Sequence, residues 1–467
     1  MLSLGVLLAA TAVVPVGLPD RTDAAATLAP TADVVRPSSS MVEMLDESHS
    51  GGVVTMADLR RDLLGDEGHL ATGAGVDVAL IDTGVSPVPG LDGGNVLHGP
   101  DLSGEGSIPE VAYLDTYGHG THMAGIIAGT RPGAEGIAPQ ARIISIKVAG
   151  ADGITTVPQV VAAIDWVVEH RNADGMNIRV LNLSLGQSGV SNHEGDLLSA
   201  AVERAWDAGI FVVVAAGNSG SGPGHLDSPA IDPYVLAVGA SDSMSNDDIE
   251  ERVIPDWSAR GDGDRNPDLV APGRSIASYR VPGSTIDVAA PHARHDDDFF
   301  LGSGTSQSAA VMSGLAAAII ARYPWTNPDR LKWTIVKDAE SIDGYRNHDE
   351  GRGHVEGDDS IEGQAGNRTQ RHARAAGNGT GITTPSGATW SGGGWNGATW
   401  AGATWSGATW SGGTWSGATW SGATWSGATW SGATWSGATW SGATWSGATW
   451  SGATWSGATW SGHGWTN

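Results

Sequence analysis

Apolar runs and amphipathic stretches alternate along the first three quarters of the chain. Runs rich in β-branched and apolar residues, each ending in glycine or polar residues, are typical of buried parallel strands, and they occur at 76–81, 143–148, 180–185, 211–216 and 235–240. Stretches with the apolar spacing of helices occur at 55–64, 121–128, 157–169, 197–207 and 308–322. This alternation predicts an α/β fold with a mostly parallel central sheet covered on both faces.

Changes in composition divide the chain into segments. Residues 2–18 are almost all apolar and small residues follow at 24–26, so we interpret 1–26 as a signal-peptide-like segment, although no Lys or Arg precedes the apolar run. The apolar run is short for a membrane span and contains Pro15. We therefore expect a secreted or cell-surface protein with no membrane span in its mature chain. Further changes in composition predict a linker or N-terminal extension over 27–69, the main α/β domain over 70–342, a polar linker over 343–385 and a repeat tail over 386–467.

The charge and the missing cysteines exclude several classes of function. The 467 residues include 51 acidic and 25 basic side chains, which gives a formal net charge of −26. Such an excess of negative charge argues against nucleic acid as a partner. The chain has no cysteine, so disulfides, thiol chemistry and cysteine-ligated zinc are excluded.

Three short motifs supply an acid, a base and a nucleophile. Asp82 ends the first apolar run, His119 lies between two glycines at the start of a predicted helix, and Ser306 precedes the helix at 308–322. Each motif alone is also typical of a turn or a helix cap. Together, in the order Asp, His, Ser, they predict a catalytic triad. His122 follows one turn after His119, and we assign it a structural role because the HxxH pattern lacks the glutamate of a metal site.

These motifs resemble those of the subtilisin-like serine proteases, the subtilases. The resemblance covers roughly residues 70–342 and extends to the stretches at 182–186, 215–220 and 267–273. It implies a three-layer subtilisin-like fold and a serine endopeptidase that hydrolyses proteins or peptides through an acyl-enzyme intermediate. After Ser306 the family continues with Met-Ala, then Ser or Thr, Pro and His, whereas this chain has Gln307-Ser308-Ala309-Ala310-Val311. The inhibitory propeptide of the family is not recognisable in this sequence.

The resemblance also implies roles for residues outside the three motifs. The side-chain amide of Asn218 would donate to the oxyanion, together with the backbone N–H of Ser306. Two strand edges would pair with an extended substrate, and their residues are Ser184, Leu185, Gly186, Ala215, Ala216 and Gly217.

A triad of this kind requires no cofactor, and the resemblance is compatible with bound calcium. Acidic stretches such as 296–298 contain the oxygen ligands that calcium prefers, although the sequence favours a solvated acidic loop at this place. No segment has a ligand spacing specific enough to name a metal site. The metal-binding residues therefore stay unassigned.

From about residue 386 the chain repeats Ser-Gly-Ala-Thr-Trp with a period of five. The pattern resembles pentapeptide-repeat proteins and fits a right-handed quadrilateral β-helix in which each pentad forms one side. The alternative is a flexible extension rich in Gly and Ser. Rows of tryptophan suit stacking on sugar rings, so the tail is a candidate for binding cell-wall or polysaccharide surfaces.

A second class of function is an exported surface protein or adhesin. In that case the subtilase-like domain would be inactive and the Trp-rich tail would bind. The intact set of Asp82, His119, Asn218 and Ser306 favours the enzyme.

Overall fold

The computed structural model describes residues 34–37, 52–65, 69–70, 72–220, 226–242, 248–363, 366 and 368–375, together with short strands between 389 and 466. The signal-peptide-like segment predicted over 1–26 lies outside these residues. Among the described helices, none combines the length and apolar character needed to cross a membrane.

The described elements follow the predicted alternation of strand and helix. The strands before the tail are β1 (Val34–Pro37), β2 (Asp77–Asp82), β3 (Val96–Asp101), β4 (Thr130–Arg131), β5 (Ala134–Glu135), β6 (Arg142–Lys147), β7 (Thr155–Thr156), β8 (Ile178–Leu183), β9 (Leu185–Gly186), β10 (Phe211–Ala215), β11 (Leu236–Ser241), β12 (Leu269–Pro272), β13 (Ile276–Tyr279) and β14 (Phe299–Gly302). The α-helices are α1 (Met56–Leu64), α2 (His119–Ala128), α3 (Val157–His170), α4 (Leu197–Asp207), α5 (Thr285–Ala289), α6 (Thr305–Arg322), α7 (Pro328–Lys337), α8 (Asn347–Glu350) and α9 (Gly357–Glu362).

The central sheet has seven strands in the order β12-β11-β10-β8-β2-β6-β3. All six pairings are parallel, which confirms the predicted α/β architecture. The two edge strands of this sheet were not predicted. The strand β3 is only partly buried and lacks a continuous apolar run, and β12 has only four residues and ends in Pro272. In a parallel sheet of this kind, functional groups gather at the carboxyl ends of the strands, where β2 ends at Asp82.

Helix α6 forms the centre of one layer. It is buried from Thr305 to Ile320 and contacts α2 together with the strands β8, β10, β11 and β12. The helix begins three residues before the predicted start at 308, with Gly304 as its N-cap. Ser306 therefore lies inside the first turn and is not the capping residue.

Part of the stretch predicted as a polar linker over 343–385 packs against the main domain. Val355 and Ile361 are buried in the core. Further along, the guanidinium of Arg374 lies 3.7 Å from the ring centre of Tyr234, and the N–H of Ala375 donates to the buried carboxylate of Glu203 at 2.8 Å. The contacts of Arg374 and Ala375 use charged side chains and a backbone group, so apolar periodicity does not indicate them.

Two elements lie within the predicted N-terminal extension. Helix α1 confirms the helix predicted at 55–64 and has Thr55 as its N-cap, since Thr55 and Asp58 exchange the two hydrogen bonds of a capping box. The strand β1 was not predicted, and it lies between β7 and β9 in a three-stranded antiparallel sheet.

The tail forms three-residue strands from Thr389–Ser391 to Gly464–Thr466. They pair in parallel as four four-stranded sheets, in which Trp390 is opposite Trp410 and Trp410 is opposite Trp430. Partners twenty residues apart are those that four pentads per turn would bring together. The side chains of the tail lie outside the described residues, and the four-sided coil stays a prediction.

Candidate active site

The acid and the base of the predicted triad are joined by a buried hydrogen bond. Asp82 ends β2 and His119 begins α2, and the Nδ1 atom of His119 lies 2.8 Å from Oδ1 and 3.0 Å from Oδ2 of Asp82. His119 is only 2% exposed. Burial disfavours the imidazolium, but the charge and hydrogen bond of Asp82 outweigh it and raise the pKa of His119. The carboxylate therefore orients the ring and stabilises its protonated form.

The two glycines beside His119 are required by the close approach of the backbone. Gly118 has a φ of +107°, a conformation that side chains rarely adopt. A Cβ atom on Gly120 would lie 2.2 Å from the carbonyl oxygen of Gly84. The Gly-His-Gly motif thus lets the start of α2 touch the turn that follows Asp82.

Asp115, which the motif analysis missed, ties these two segments together. Its buried carboxylate accepts hydrogen bonds from the N–H groups of Gly118 at 2.6 Å and Thr121 at 2.8 Å, and from the hydroxyl of Thr83 at 2.8 Å. The Thr83 hydroxyl accepts in turn from the N–H of Gly120 at 2.9 Å. An acidic residue four positions before the histidine is the sequence signal that could have indicated this role.

The charge of Asp115 also acts on His119. Burial raises the pKa of Asp115, while its hydrogen bonds to backbone N–H groups and hydroxyls favour the ionised form. That negative charge adds to the effect of Asp82 in raising the pKa of His119.

Ser306 lies in the first turn of α6, which packs against the histidine-bearing α2. Its hydroxyl donates to the carbonyl oxygen of Ser184 at 3.2 Å. The hydroxyl of Ser184 donates back to the carbonyl oxygen of Ser306 at 3.1 Å. The predicted nucleophile is thus placed directly beside the first residue of a predicted substrate-binding strand.

Asn218 is oriented by the residue that precedes Ser306. Its Oδ1 atom accepts hydrogen bonds from the N–H of Thr305 at 2.9 Å and from the hydroxyl of Thr305 at 3.0 Å. The same hydroxyl accepts from the N–H of Gly217 at 3.2 Å. Because the amide oxygen faces Thr305, the NH₂ group lies on the opposite side of the side chain. Thr305 is a second positioning residue that sequence reasoning did not find.

The predicted substrate-binding edge at β9 is paired with β1, a strand of the same chain. Arg36 is opposite Gly186 and Pro37 is opposite Leu185 in an antiparallel register. On its other edge β1 pairs with β7, and Val35 is completely buried. An extended peptide therefore fits between β7 and β9.

Comparison with known proteins identifies the family to which this chain belongs. The model of the Subtilase family matches residues 73–379. The chain belongs to the subtilase family. It is 34% identical to serine protease AprX of Bacillus subtilis over 64% of this chain and 68% of AprX. It is also 34% identical to subtilisin Savinase of Lederbergia lenta over 55% of this chain and 80% of Savinase.

Among solved structures, fervidolysin from Fervidobacterium pennivorans has a similar fold. Fervidolysin is described as a keratinolytic enzyme related to subtilisin, and it matches at a TM-score of 0.52 and 25% identity. The match covers 65% of this chain and 45% of fervidolysin. The chain is accordingly a subtilase with a subtilisin-like fold, and it is a serine endopeptidase.

His122, the second histidine of this subtilase motif, is buried, and its Nε2 atom lies 3.1 Å from the carbonyl oxygen of Phe300. Burial, with a smaller contribution from the charge of His119, lowers its pKa to about 3. The ring is therefore neutral at the pH of any ordinary assay. These contacts agree with the structural role that the sequence analysis assigns to it.

The described residues of this subtilase identify no site for the calcium that the resemblance allows. Across the described ranges, no group of three or more His, Asp or Glu side chains is arranged to hold a metal ion. In the acidic stretch at 296–298, Asp298 pairs with Arg131 at 2.7 Å. Asp296 accepts two backbone N–H groups of its own turn. This stretch is therefore a capped turn.

The loop between β13 and β14 braces the turn that precedes His119. The N–H groups of Thr285 and Ile286 donate to the carbonyl oxygens of Thr116 and Tyr117, each at 3.1 Å. The loop itself is held by Asp287, whose carboxylate pairs with two guanidinium groups, those of Arg280 and Arg294.

We expect the Asp287→Asn substitution to lower the free energy of unfolding at neutral pH. Burial opposes ionisation of Asp287, but hydrogen bonds from Arg280, Gly283 and Arg294 outweigh it and lower the pKa from 3.8 to about 2. A folded-state pKa below the unfolded value contributes stability above pH 4, about 2 kcal/mol here, and this is lost as the pH falls through 2. Chemical denaturation of both proteins between pH 2 and pH 7 measures the difference.

The matched control is Asp297→Asn, which removes the same charge from an exposed side chain of the same loop. It should change the stability by less than about 0.5 kcal/mol. Equal stability of wild type and Asp287→Asn at pH 7 would contradict the assignment.

Proposed function

We propose that this subtilase hydrolyses peptide bonds through Asp82, His119 and Ser306. His119 takes the proton of the Ser306 hydroxyl, and the oxygen attacks the substrate carbonyl. His119 then gives the proton to the leaving amine as the C–N bond breaks, and water releases the acyl group. The observation that carries the proposal is the buried hydrogen bond of 2.8 Å between Asp82 and His119, since it fixes the tautomer that a general base requires.

In this mechanism Asn218 and the N–H of Ser306 stabilise the oxyanion. An amide N–H is a fixed neutral donor that needs no proton transfer. The two hydrogen bonds from Thr305 to Oδ1 support the role, because they fix the direction of the NH₂ group before substrate arrives. Preorganised donors cost no reorganisation when charge develops on the carbonyl oxygen.

The substrate would bind as an extended strand along Ser184–Gly186, with β7 on its other edge, as β1 does. The second predicted edge, Ala215–Gly217, would border the cleft next to this strand, to which it is joined through Asp227 and Ser228. The pairing of β1 with β9 supports this binding mode. If a substrate takes the place of β1 in the same antiparallel register, the substrate residue that follows the position of Pro37 lies opposite Ser184. The carbonyl of Ser184 accepts the Ser306 hydroxyl, so the bond after that residue would be presented to the nucleophile.

We expect Ser306→Ala to abolish casein cleavage, with a fall in kcat on the order of 10⁶, the size known from subtilisin. The variant should also fail to react with a fluorophosphonate probe, because only an activated serine is labelled. The control is Ser308→Ala, which removes a buried hydroxyl from the same helix. It should keep both labelling and cleavage. Unchanged casein cleavage by Ser306→Ala would show that the nucleophile is assigned wrongly.

A synthetic peptide of residues 30–40 should compete with substrate for the cleft. It can form the ladder that β1 forms and bury the side chain of Val35. Replacing Val35 with Asp should weaken inhibition about tenfold or more, because a charge would enter an apolar contact. Steady-state inhibition of peptide hydrolysis measures both. A native peptide that is neither cleaved nor inhibitory would contradict this binding mode.

We propose in addition that the protease is exported and acts outside the cell. The apolar run at 2–18 and the small residues at 24–26 support this proposal. Mass spectrometry of protein from culture medium should find a chain that lacks the first 26 residues. A protein confined to the cell pellet with its N-terminus intact would contradict export. Binding of the tail to polysaccharide surfaces stays a prediction from its tryptophans.

A further inference from the structure

A short segment closes the space between the two strands proposed to bind substrate. The N–H of Asp227 donates to the carbonyl oxygen of Ala216 at 2.9 Å, on one strand. The next residue, Ser228, exchanges two backbone hydrogen bonds of 2.9 Å with Gln187, which continues the other strand. Asp227 therefore lies where the two strand edges approach each other.

The carboxylate of Asp227 lies against a glycine of each strand. A Cβ atom on Gly217 would be 2.7 Å from the Oδ2 atom of Asp227. A Cβ atom on Gly186 would be 2.8 Å from the Cβ atom of Asp227 and 3.4 Å from Oδ2. Because neither glycine has a side chain, no side-chain atom of these two residues lies between the carboxylate and the gap between the strands.

This carboxylate has no cationic partner among the residues that the structure describes. Asp77, Asp242 and Asp287 are equally buried aspartates, and each pairs with at least one arginine. No lysine or arginine in the described part of the chain forms a salt bridge with Asp227, which accepts a hydrogen bond from the side chain of Ser188. It is 7% exposed, and burial raises its pKa. A carboxylate in this position is stabilised when a cation enters from outside.

We propose that Asp227 selects substrates with lysine or arginine immediately before the scissile bond. That substrate residue lies opposite Ser184, between the two strands whose glycines border the carboxylate. A basic side chain entering the gap would bring the missing positive charge to Asp227. An apolar side chain would leave the carboxylate buried and unpaired, which is unfavourable. This inference rests on the proposed function, since it assumes that Ser184 and Ser306 mark the cleavage point.

The test uses acyl-Ala-Ala-Pro-X 4-nitroanilides, in which X is Lys, Arg, Gln, Leu or Phe and only the bond after X releases the dye. With the full-length enzyme, we expect kcat/KM for Lys and Arg to exceed that for Leu and Phe by about tenfold or more. Asp227→Asn should remove this preference, by lowering kcat/KM for Lys and Arg while leaving Gln and Leu nearly unchanged. The matched control is Asp77→Asn, which changes another buried aspartate in the same way. Asp77 lies at the start of β2, whereas Asp82 lies at its end, and the variant should keep the preference.

A measurement on the wild-type enzyme alone covers the case in which Asp227→Asn does not fold. Benzamidine, a planar cation, should inhibit competitively, and inhibition should weaken as ionic strength rises. Cleavage that is equally fast after Leu and Lys, or a preference that survives Asp227→Asn, would overturn the inference. If the wild-type enzyme hydrolyses none of these substrates and is not labelled by the fluorophosphonate, the proposed function itself would be contradicted.

Discussion

The buried hydrogen bond between Asp82 and His119 is the interaction around which the rest of this site is organised. A carboxylate and an imidazole held out of water must stay within hydrogen-bonding distance, because each would be poorly solvated if they separated. The backbone at the end of β2 and at the start of α2 fixes the distance between the two side chains. The parallel sheet delivers Asp82 at a strand end, and glycines at 118 and 120 let the start of α2 come within contact of it.

The second layer of this arrangement is a set of hydrogen bonds with one acidic residue at its centre. Asp115 holds the N-terminal N–H groups of α2 and, through Thr83, the turn after β2. The loop that contains it is fixed in turn by Lys147, at the end of β6, whose ammonium group donates to the carbonyl oxygen of Leu114 and pairs with Glu105 at 2.6 Å. The adjacent strands β2 and β6 thus contribute the acid of the proposed triad and the cation that anchors its support.

Sequence patterns predicted the elements whose burial follows a simple period and missed those held by polar contacts. The strands ending near Asp82 and Ala215 are continuous apolar runs, and their ends follow directly from glycine and polar residues. By contrast, Thr305 as the partner of Asn218 joins residues far apart in the chain. The strand β1 has its place because of the edges of β7 and β9, and its own four residues show no apolar alternation. Contacts of this kind depend on the assembled fold.

In this cleft, the proposed catalytic residues are oriented by the protein itself, whereas the proposed binding edge pairs with a peptide strand. Ser306, Asn218 and His119 each have their orientation set by hydrogen bonds within the protein. The edge of β9 instead pairs with a strand from the N-terminal extension, and Asp227 forms no salt bridge with a lysine or arginine of the described residues. In the proposed binding mode a substrate strand would take the place of β1 on the edge of β9, and a basic side chain would pair with Asp227, so that both groups would contribute to recognition. The same logic explains why a segment of its own chain can occupy the cleft, because main-chain pairing does not distinguish an intramolecular strand from a substrate.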